Sequence, residues 1–235
     1  MDHVRRTLPE EDRKELGLDI GCGTGLSTVA LTAVATQVVG LDTSREMLAQ
    51  APGSPQIRYV EALAEALPFG RGVFDIAAVG CTFHWCAPTE LLDEVYRVLR
   101  SGGWLIIYDN GFMGPTEAFP EMERWYRDVF RHRYPAPPRH PQFHPFMATT
   151  TGFRVVASEF VQQSVALESQ QLATYLTTQS NVVAAVEQDT ETLKDAERWL
   201  VSELSGLYGS LSGSQARTSC QFTFGGYVSC LRRAD

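Results

Sequence analysis

Lysine is nearly absent from this chain: Lys14 and Lys194 are the only two, and arginine supplies the rest of its 20 basic residues. No Lys/Arg run occurs, and the net charge is −8. Nucleic acid is therefore not an expected partner, because neutralising phosphates requires a basic surface. No apolar run approaches the length of a membrane span, and MDHVRRTLPEEDRKE at the start lacks the apolar stretch of a secretion signal. The expectation is a cytoplasmic protein with no membrane partner. The five cysteines, at positions 22, 81, 86, 220 and 230, never stand at CxxC spacing, which argues against a zinc knuckle or a disulfide framework. Three of the histidines, His132, His140 and His144, lie in a proline-broken segment, and no metal is expected.

What is present suits one globular domain. The chain has 235 residues, 44% of them hydrophobic, enough for a sizeable core. From Leu16 to Asp109 short apolar runs alternate with helical patterns. Strands are predicted at 17–21, 37–42, 57–62, 74–80 and 104–109. Helices are predicted at 26–35, at 43–51 with Thr43 and Glu46 as a capping box, and at 88–103. In the last, Leu91, Leu92, Val95, Val98 and Leu99 share one face, Pro88 suits the first turn and Gly102 the C-terminal cap. Such alternation means a parallel sheet covered on both faces.

After Asp109 the composition shifts. Residues 111–152 hold seven of the 12 prolines and three of the 5 histidines, with many aromatics and one predicted helix at 120–133. The segment is too apolar for a linker and reads as a cap over a site. Strands follow at 153–161 and 221–231, separated by helices at 169–179 and 192–208 and a Gly/Ser-rich loop at 206–214.

The stretch LGLDIGCGTG (16–25) carries the chemistry. Gly21, Gly23 and Gly25 follow a strand and open a helix, allowing a sharp turn and close backbone approach to a ligand. The spacing is GxGxG; a dinucleotide fingerprint wants glycine at position 26, which is Leu26. Asp42 ends the second strand, where a carboxylate can accept hydrogen bonds from both ribose hydroxyls of an adenosine.

DIGCGTG followed by Asp42 resembles the first two motifs of class I S-adenosylmethionine-dependent methyltransferases. AEALPFGRGVFDIAAVG (64–80) and LRSGGWLIIYD (99–109) resemble the elements that come next, so the likeness covers about residues 16–109 in order. FHW (83–85) and TYLTTQSNV (174–182) are similar to the trans-aconitate methyltransferase-like group. The resemblance implies an α/β, Rossmann-like, seven-stranded, mostly parallel sheet with helices on both faces, an antiparallel last strand and a cap inserted after strand five. It implies one methyltransferase domain over 1–235, made of a short N-terminal segment (1–15), a cofactor-binding half (16–110), a cap or substrate insertion (111–152) and the C-terminal part of the sheet (153–235). The implied cofactor is S-adenosylmethionine. Its binding set is Asp19 beside the methionine end, the turn Gly21, Cys22, Gly23 and Gly25, then Asp42, Thr43, Met47, Leu63, Ala64 and Cys81. Two departures from the family pattern stand out: Leu63 replaces the acid that many relatives use for the adenine amino group, and only some fifteen residues precede strand one.

The expected reaction is methyl transfer to a small molecule, first of all to a carboxylate or hydroxyl oxygen. A carboxylate needs orientation, typically by arginine; a hydroxyl also needs a base. His84 is the candidate base, its other reading being a structural histidine beside Trp85. Phe83, Trp85, Trp125 and Tyr126 are candidate substrate contacts, although aromatics of the cap also serve as core. Arg124, Arg127, Arg131 and Arg133 suit a carboxylate or a solvated helix face. Cys86, like Cys81, reads as a small buried filler rather than a nucleophile. Two rival functions remain: cofactor binding that catalyses a cyclisation or rearrangement without methyl transfer, and a non-catalytic partner subunit. An apolar cap could also support a homodimer.

Overall fold

The computed structural model describes residues 7–8, 14–117, 119–210 and 219–234. They form two compact units. The first comprises Met1–Asn110, Arg139–Val161 and Gly226–Asp235; the second comprises Gly111–Pro138 and Gln162–Gly225. The segment 111–152 is thus divided between them.

In the first unit, β1 (Lys14–Ile20), β2 (Ala35–Asp42), β3 (Ile57–Glu61), β4 (Phe74–Gly80) and β5 (Leu99–Tyr108) lie in the order β3-β2-β1-β4-β5, all parallel. The C-terminal half of β8 (Ser219–Arg233) adds antiparallel to β5, with Trp104 opposite Arg232 and Tyr108 opposite Val228. The reversal of order beside β1 places the carboxyl ends of β1 and β4 at a topological switch point, where ligands of open α/β sheets bind.

Alternation along the strands makes two cores. Ala77, Val79, Leu105 and Ile107 face one apolar cluster, which takes in Leu91, Leu92, Val95 and Val98 of helix α3 (Pro88–Val98). Ile76, Ala78, Trp104 and Ile106 face the other, with Leu31 of helix α1 (Leu26–Leu31). A residue period of two in the strands puts helices on both faces. Each aliphatic side chain buried this way contributes about 1.5–3 kcal/mol relative to exposure.

Some boundaries differ from the sequence reading. Helix α3 stops at Val98, because Leu99 turns to extended backbone (φ −71°, ψ 143°) and pairs with Phe74. Gly102, expected as the helix cap, instead takes φ +68° in an irregularity inside β5. Helix α2 is only Arg45–Leu48, and Ser44 rather than Thr43 caps it, accepting a 3.2 Å hydrogen bond from Met47 N–H. Thr43 follows directly on β2, so the capping position falls one residue later.

The second unit has β6 (Gly111–Pro115), antiparallel to the N-terminal half of β8 with Gly111 opposite Gly225. β6 was not expected and makes the strands eight rather than seven. β7 (Phe153–Glu168) pairs with β8; both are longer than their apolar cores suggested. The helical segment α4 (120–133) is α-helical at Pro120–Arg124, widens to a π-helix at Trp125–Phe130 and closes at Arg131–Arg133. α5 (Pro145–Thr149) belongs to the first unit. α6 (Ser169–Thr177), α7 (Ser180–Glu187) and α8 (Leu193–Ser210) complete the second. Its core is aromatic, with Trp125, Phe130, Tyr134 and Phe222 packed on Leu172, Leu200 and Leu204. Of the loop expected at 206–214, residues up to Ser210 continue α8, and the remainder lies outside the described residues.

Candidate active site

The turn after β1 is built from positive-φ glycines: Gly21 at +69°, Gly23 at +54° and Gly25 at +83°. At Gly21 a side chain is also sterically barred, since a Cβ would lie 2.2 Å from Thr82 Cγ2. Thr82 uses this closeness, its hydroxyl donating to Gly21 O at 3.1 Å and Gly80 O at 3.0 Å. Tyr59 fills the space beside Gly25 and Gly40. A Cβ at Gly25 would stand 2.4 Å from its hydroxyl, and one at Gly40 2.8 Å from its ring. Cys22 is buried within the turn, and its thiol is pushed up to about 12 by burial and by Asp19 and Asp42, so it is no nucleophile.

Two acids hold the turn. Asp42 Oδ2 accepts from Gly23 N–H at 2.8 Å, and Oδ1 accepts from Ser44 N–H at 2.9 Å. Asp19 is fully buried, and its Oδ2 accepts from Ser27 Oγ at 2.6 Å and Thr28 Oγ1 at 2.7 Å. Asp19 Oδ1 has no partner among the described residues. Burial, opposed by those two hydroxyls, raises the Asp19 carboxyl above its ordinary range. An unpartnered, buried carboxylate oxygen is costly unless a ligand completes it. At Gly23 a Cβ would meet only Met47 Sδ, at 3.6 Å, so the backbone there is open to close approach. These features fit a cationic, nucleotide-like group such as S-adenosylmethionine. Met47 stands beside this turn and is exposed, as are Thr43 and Leu63, while Ala64 is buried.

A second cluster of the same unit sits at the ends of β4 and β5. Cys81 takes φ +53° and is exposed rather than the buried filler expected, because the left-handed turn lifts it out of the sheet; partial burial and Asp109 push its thiol up to about 11. Phe83, His84 and Trp85 form a 3₁₀ turn with Phe83 and His84 buried and Trp85 exposed. His84 Nδ1 lies 3.6 Å from Asp109 Oδ2. The Arg139 guanidinium lies over the Trp85 ring at 5.1 Å. Cys86 is buried, its thiol pushed up to about 12 by burial.

Trp125 and Tyr126 belong to the second unit. Trp125 is buried, donating from Nε1 to Glu203 Oε2 at 2.9 Å and stacking on Trp199. Tyr126 is half-buried and stacks on Phe130. Arg124 pairs with Glu121, Arg127 with Asp128 and Arg133 with Glu191, each arginine being largely exposed.

Sequence reasoning overlooked Asp109, Thr82 and the pair Ser27 and Thr28. Asp109 follows β5 much as Asp42 closes β2, so the same logic of an acid at a parallel strand's carboxyl end could have flagged it. Ser27 and Thr28 interrupt an otherwise apolar helix, a signal for a buried polar partner.

The chain is similar to several known proteins. Residues 18–107 match the family described as a methyltransferase domain. An uncharacterized methyltransferase of Synechocystis is 42% identical over 39% of this chain and 45% of its own length. A malonyl-[acyl-carrier protein] O-methyltransferase of Herminiimonas arsenicoxydans is 34% identical over 49% of this chain and 44% of its own length. Among solved structures, a proposed type II methyltransferase from Anaeromyxobacter dehalogenans superposes with TM-score 0.68, covering 99% of this chain and 94% of that one, at 17% identity. At that identity the superposition speaks for the fold alone. The chain spans about half the length of the curated relatives it matches. The stretch that matches a methyltransferase domain lies within the first unit. Among the described residues no group of His, Cys, Asp and Glu could hold a metal ion, and no helix is long and apolar enough to cross a membrane.

Proposed function

We propose that the protein transfers a methyl group from S-adenosylmethionine to an oxygen of a small-molecule acceptor, a carboxylate or a hydroxyl. The observation that carries this reading is Asp19 Oδ1, a buried carboxylate oxygen left open beside a glycine turn that Asp42 holds in place. Bound there, the cofactor supplies a methyl group on a cationic sulfur, already activated for in-line displacement. The chain's own contribution is then binding, alignment and exclusion of water. Asp19 supports the positive end, Asp42 the ribose, and Leu63 and Ala64 the region where the resemblance places adenine. His84, on the turn after β4, is the group available to take a proton from a hydroxyl acceptor. The similarity to a malonyl-[acyl-carrier protein] O-methyltransferase supports oxygen as the acceptor atom.

The test is incubation of the purified protein with methyl-labelled S-adenosylmethionine and panels of phenols, alcohols and carboxylic acids, following S-adenosylhomocysteine and labelled product together. Both are expected in equal amounts. A rearranged product with no S-adenosylhomocysteine would replace transfer by non-methylating catalysis. Failure to bind the cofactor at high micromolar concentration in titration calorimetry would remove the reading altogether.

A further inference from the structure

His84 and Asp109 reach each other from different strand ends, and the backbone fixes both. The His84 carbonyl accepts a 2.9 Å hydrogen bond from His140 N–H, and Asp109 N–H donates to Tyr227 O at 3.0 Å. Asp109 Oδ1 is taken by the Asn110 N–H at 2.8 Å, which leaves Oδ2 for the imidazole, 3.6 Å from Nδ1. Both side chains are largely withdrawn from water, at 9% and 17% exposure. Such contacts are commonly long before substrate binds and tighten in the complex.

We infer that Asp109 is a positioning residue for His84, and that the pair adapts the site to a protonated oxygen acceptor, an alcohol or phenol, rather than a carboxylate. This rests on the methyl-transfer reading above and narrows its acceptor class.

The argument has two parts. First, an anionic Asp109 facing Nδ1 favours the ring form with its proton on Nδ1, leaving the Nε2 lone pair free as the base. Burial alone would raise the Asp109 carboxyl. The His84 ring and the Asn110 N–H outweigh it, so Asp109 lies below its ordinary range and stays ionised at neutral pH. Second, a carboxylate acceptor has no proton to give up and is repelled by an ionised Asp109. Among the described titratable groups near the pair, Arg139 is set over the Trp85 ring at 5.1 Å, and the neighbouring thiol and phenol offer a carboxylate no countercharge. Burial, with Asp109 adding to it, pushes Cys81 up to about 11 and Tyr227 up to about 12, so both are neutral at pH 7. With a hydroxyl acceptor the balance is complete. An oxygen lone pair makes the O–C bond, the S–C pair returns to sulfur and neutralises the sulfonium, and the hydroxyl proton passes to Nε2 and on to solvent.

The experiment compares wild type with Asp109→Asn and His84→Gln. One arm needs no turnover: ¹⁵N correlation spectra of the His84 imidazole above its titration, with and without S-adenosylhomocysteine. The proton is expected on Nδ1 in wild type and on Nε2 in Asp109→Asn, where the new amide can donate to Nδ1. The second arm measures kcat and KM on hydroxyl and carboxylic acid panels. Both variants are expected to lose about 10²–10⁴-fold in kcat on hydroxyl acceptors, while cofactor Kd stays within about twofold by calorimetry, which also shows that the variants fold. A wild-type ring protonated on Nε2 would overturn the positioning role. Carboxylic acids methylated in preference, at a rate His84→Gln leaves unchanged, would overturn the acceptor class. Absence of transfer to either panel would instead sink the methyl-transfer reading and the acceptor class with it; the ring spectrum decides the pairing regardless.

Discussion

The Asp42 carboxylate and the Gly23 amide, nineteen residues apart in sequence, are joined by a 2.8 Å hydrogen bond. The acid at the end of β2 therefore shapes the turn at the end of β1. Replacing Asp42 by Ala removes the acceptor for Gly23 and Ser44 N–H together with the proposed ribose partner. Hydrogen bonds to a charged group are worth about 1.5–3 kcal/mol, so cofactor Kd is expected to weaken about 10–100-fold in calorimetry. Asp42→Asn keeps one acceptor oxygen and is expected to lose less.

Gly21 and Gly23 share a left-handed backbone and differ in space. Alanine at either costs about 1–2 kcal/mol for conformation alone. At Gly21 the new methyl also meets Thr82 at 2.2 Å, whereas at Gly23 it meets only Met47, at 3.6 Å. Thermal unfolding should show Gly21→Ala clearly less stable than Gly23→Ala. Equal melting temperatures would contradict the steric account. Gly23→Ala should show its effect in cofactor affinity instead, since its cost falls on the open side of the turn.

Asp19 ties binding to pH. Burial raises its carboxyl in the free protein, and a cation placed beside Oδ1 favours the ionised form and draws the pKa back down. Binding should then release protons at acidic pH, and affinity should improve as pH rises through the raised pKa. Calorimetry in buffers of differing ionisation enthalpy measures the proton count directly, and Asp19→Asn should abolish the release. Proton uptake on binding would reverse the assignment.

Glu94 and Arg97 brace the loop ahead of β4. Glu94 Oε2 accepts from Leu67 N–H at 2.7 Å, while Arg97 donates to Phe69 O at 2.7 Å and Leu67 O at 2.9 Å. The Arg97 hydrogen bond to Glu94, chiefly, holds its carboxyl below the usual range. A depressed acid stabilises the fold above its unfolded pKa and loses that contribution as pH falls through the folded one. Glu94→Gln should cost about 1–3 kcal/mol near neutral pH and flatten the decline in melting temperature below pH 4.5. A parallel decline in variant and wild type would remove Glu94 from the acid response.

The parallel strands were legible because their apolar runs are short, regular and separated by turn signals. Asp42 could be assigned from position alone, since it closes a strand next to a glycine turn. The failures have physical causes. α3 was read through to Gly103 because the apolar face includes Leu99, but Leu99 belongs to the sheet and its helical spacing is coincidence. β6 was missed because Gly111–Pro115, GFMGP, carries glycines and a proline that speak against a strand. Its pairing with β8 is non-local. The Asp109–His84 relation joins residues twenty-five positions apart at two strand ends, and only the register of β4 against β5 brings those ends level. The π-helical widening at Trp125–Phe130 leaves no periodic trace in so aromatic a sequence.

Tyr59 stands where side chains at Gly25 and Gly40 would otherwise be. A larger residue at Gly40 requires a smaller one at 59 and a shift of Thr28, whose Oγ1 would stand 2.9 Å from the new Cβ, whereas Gly25 is held to glycine by its φ of +83° as well. Among natural variants of this domain, positions 28, 40 and 59 should therefore change as a set. A variant altering 40 alone marks a lineage in which the packing over β2 has been rebuilt.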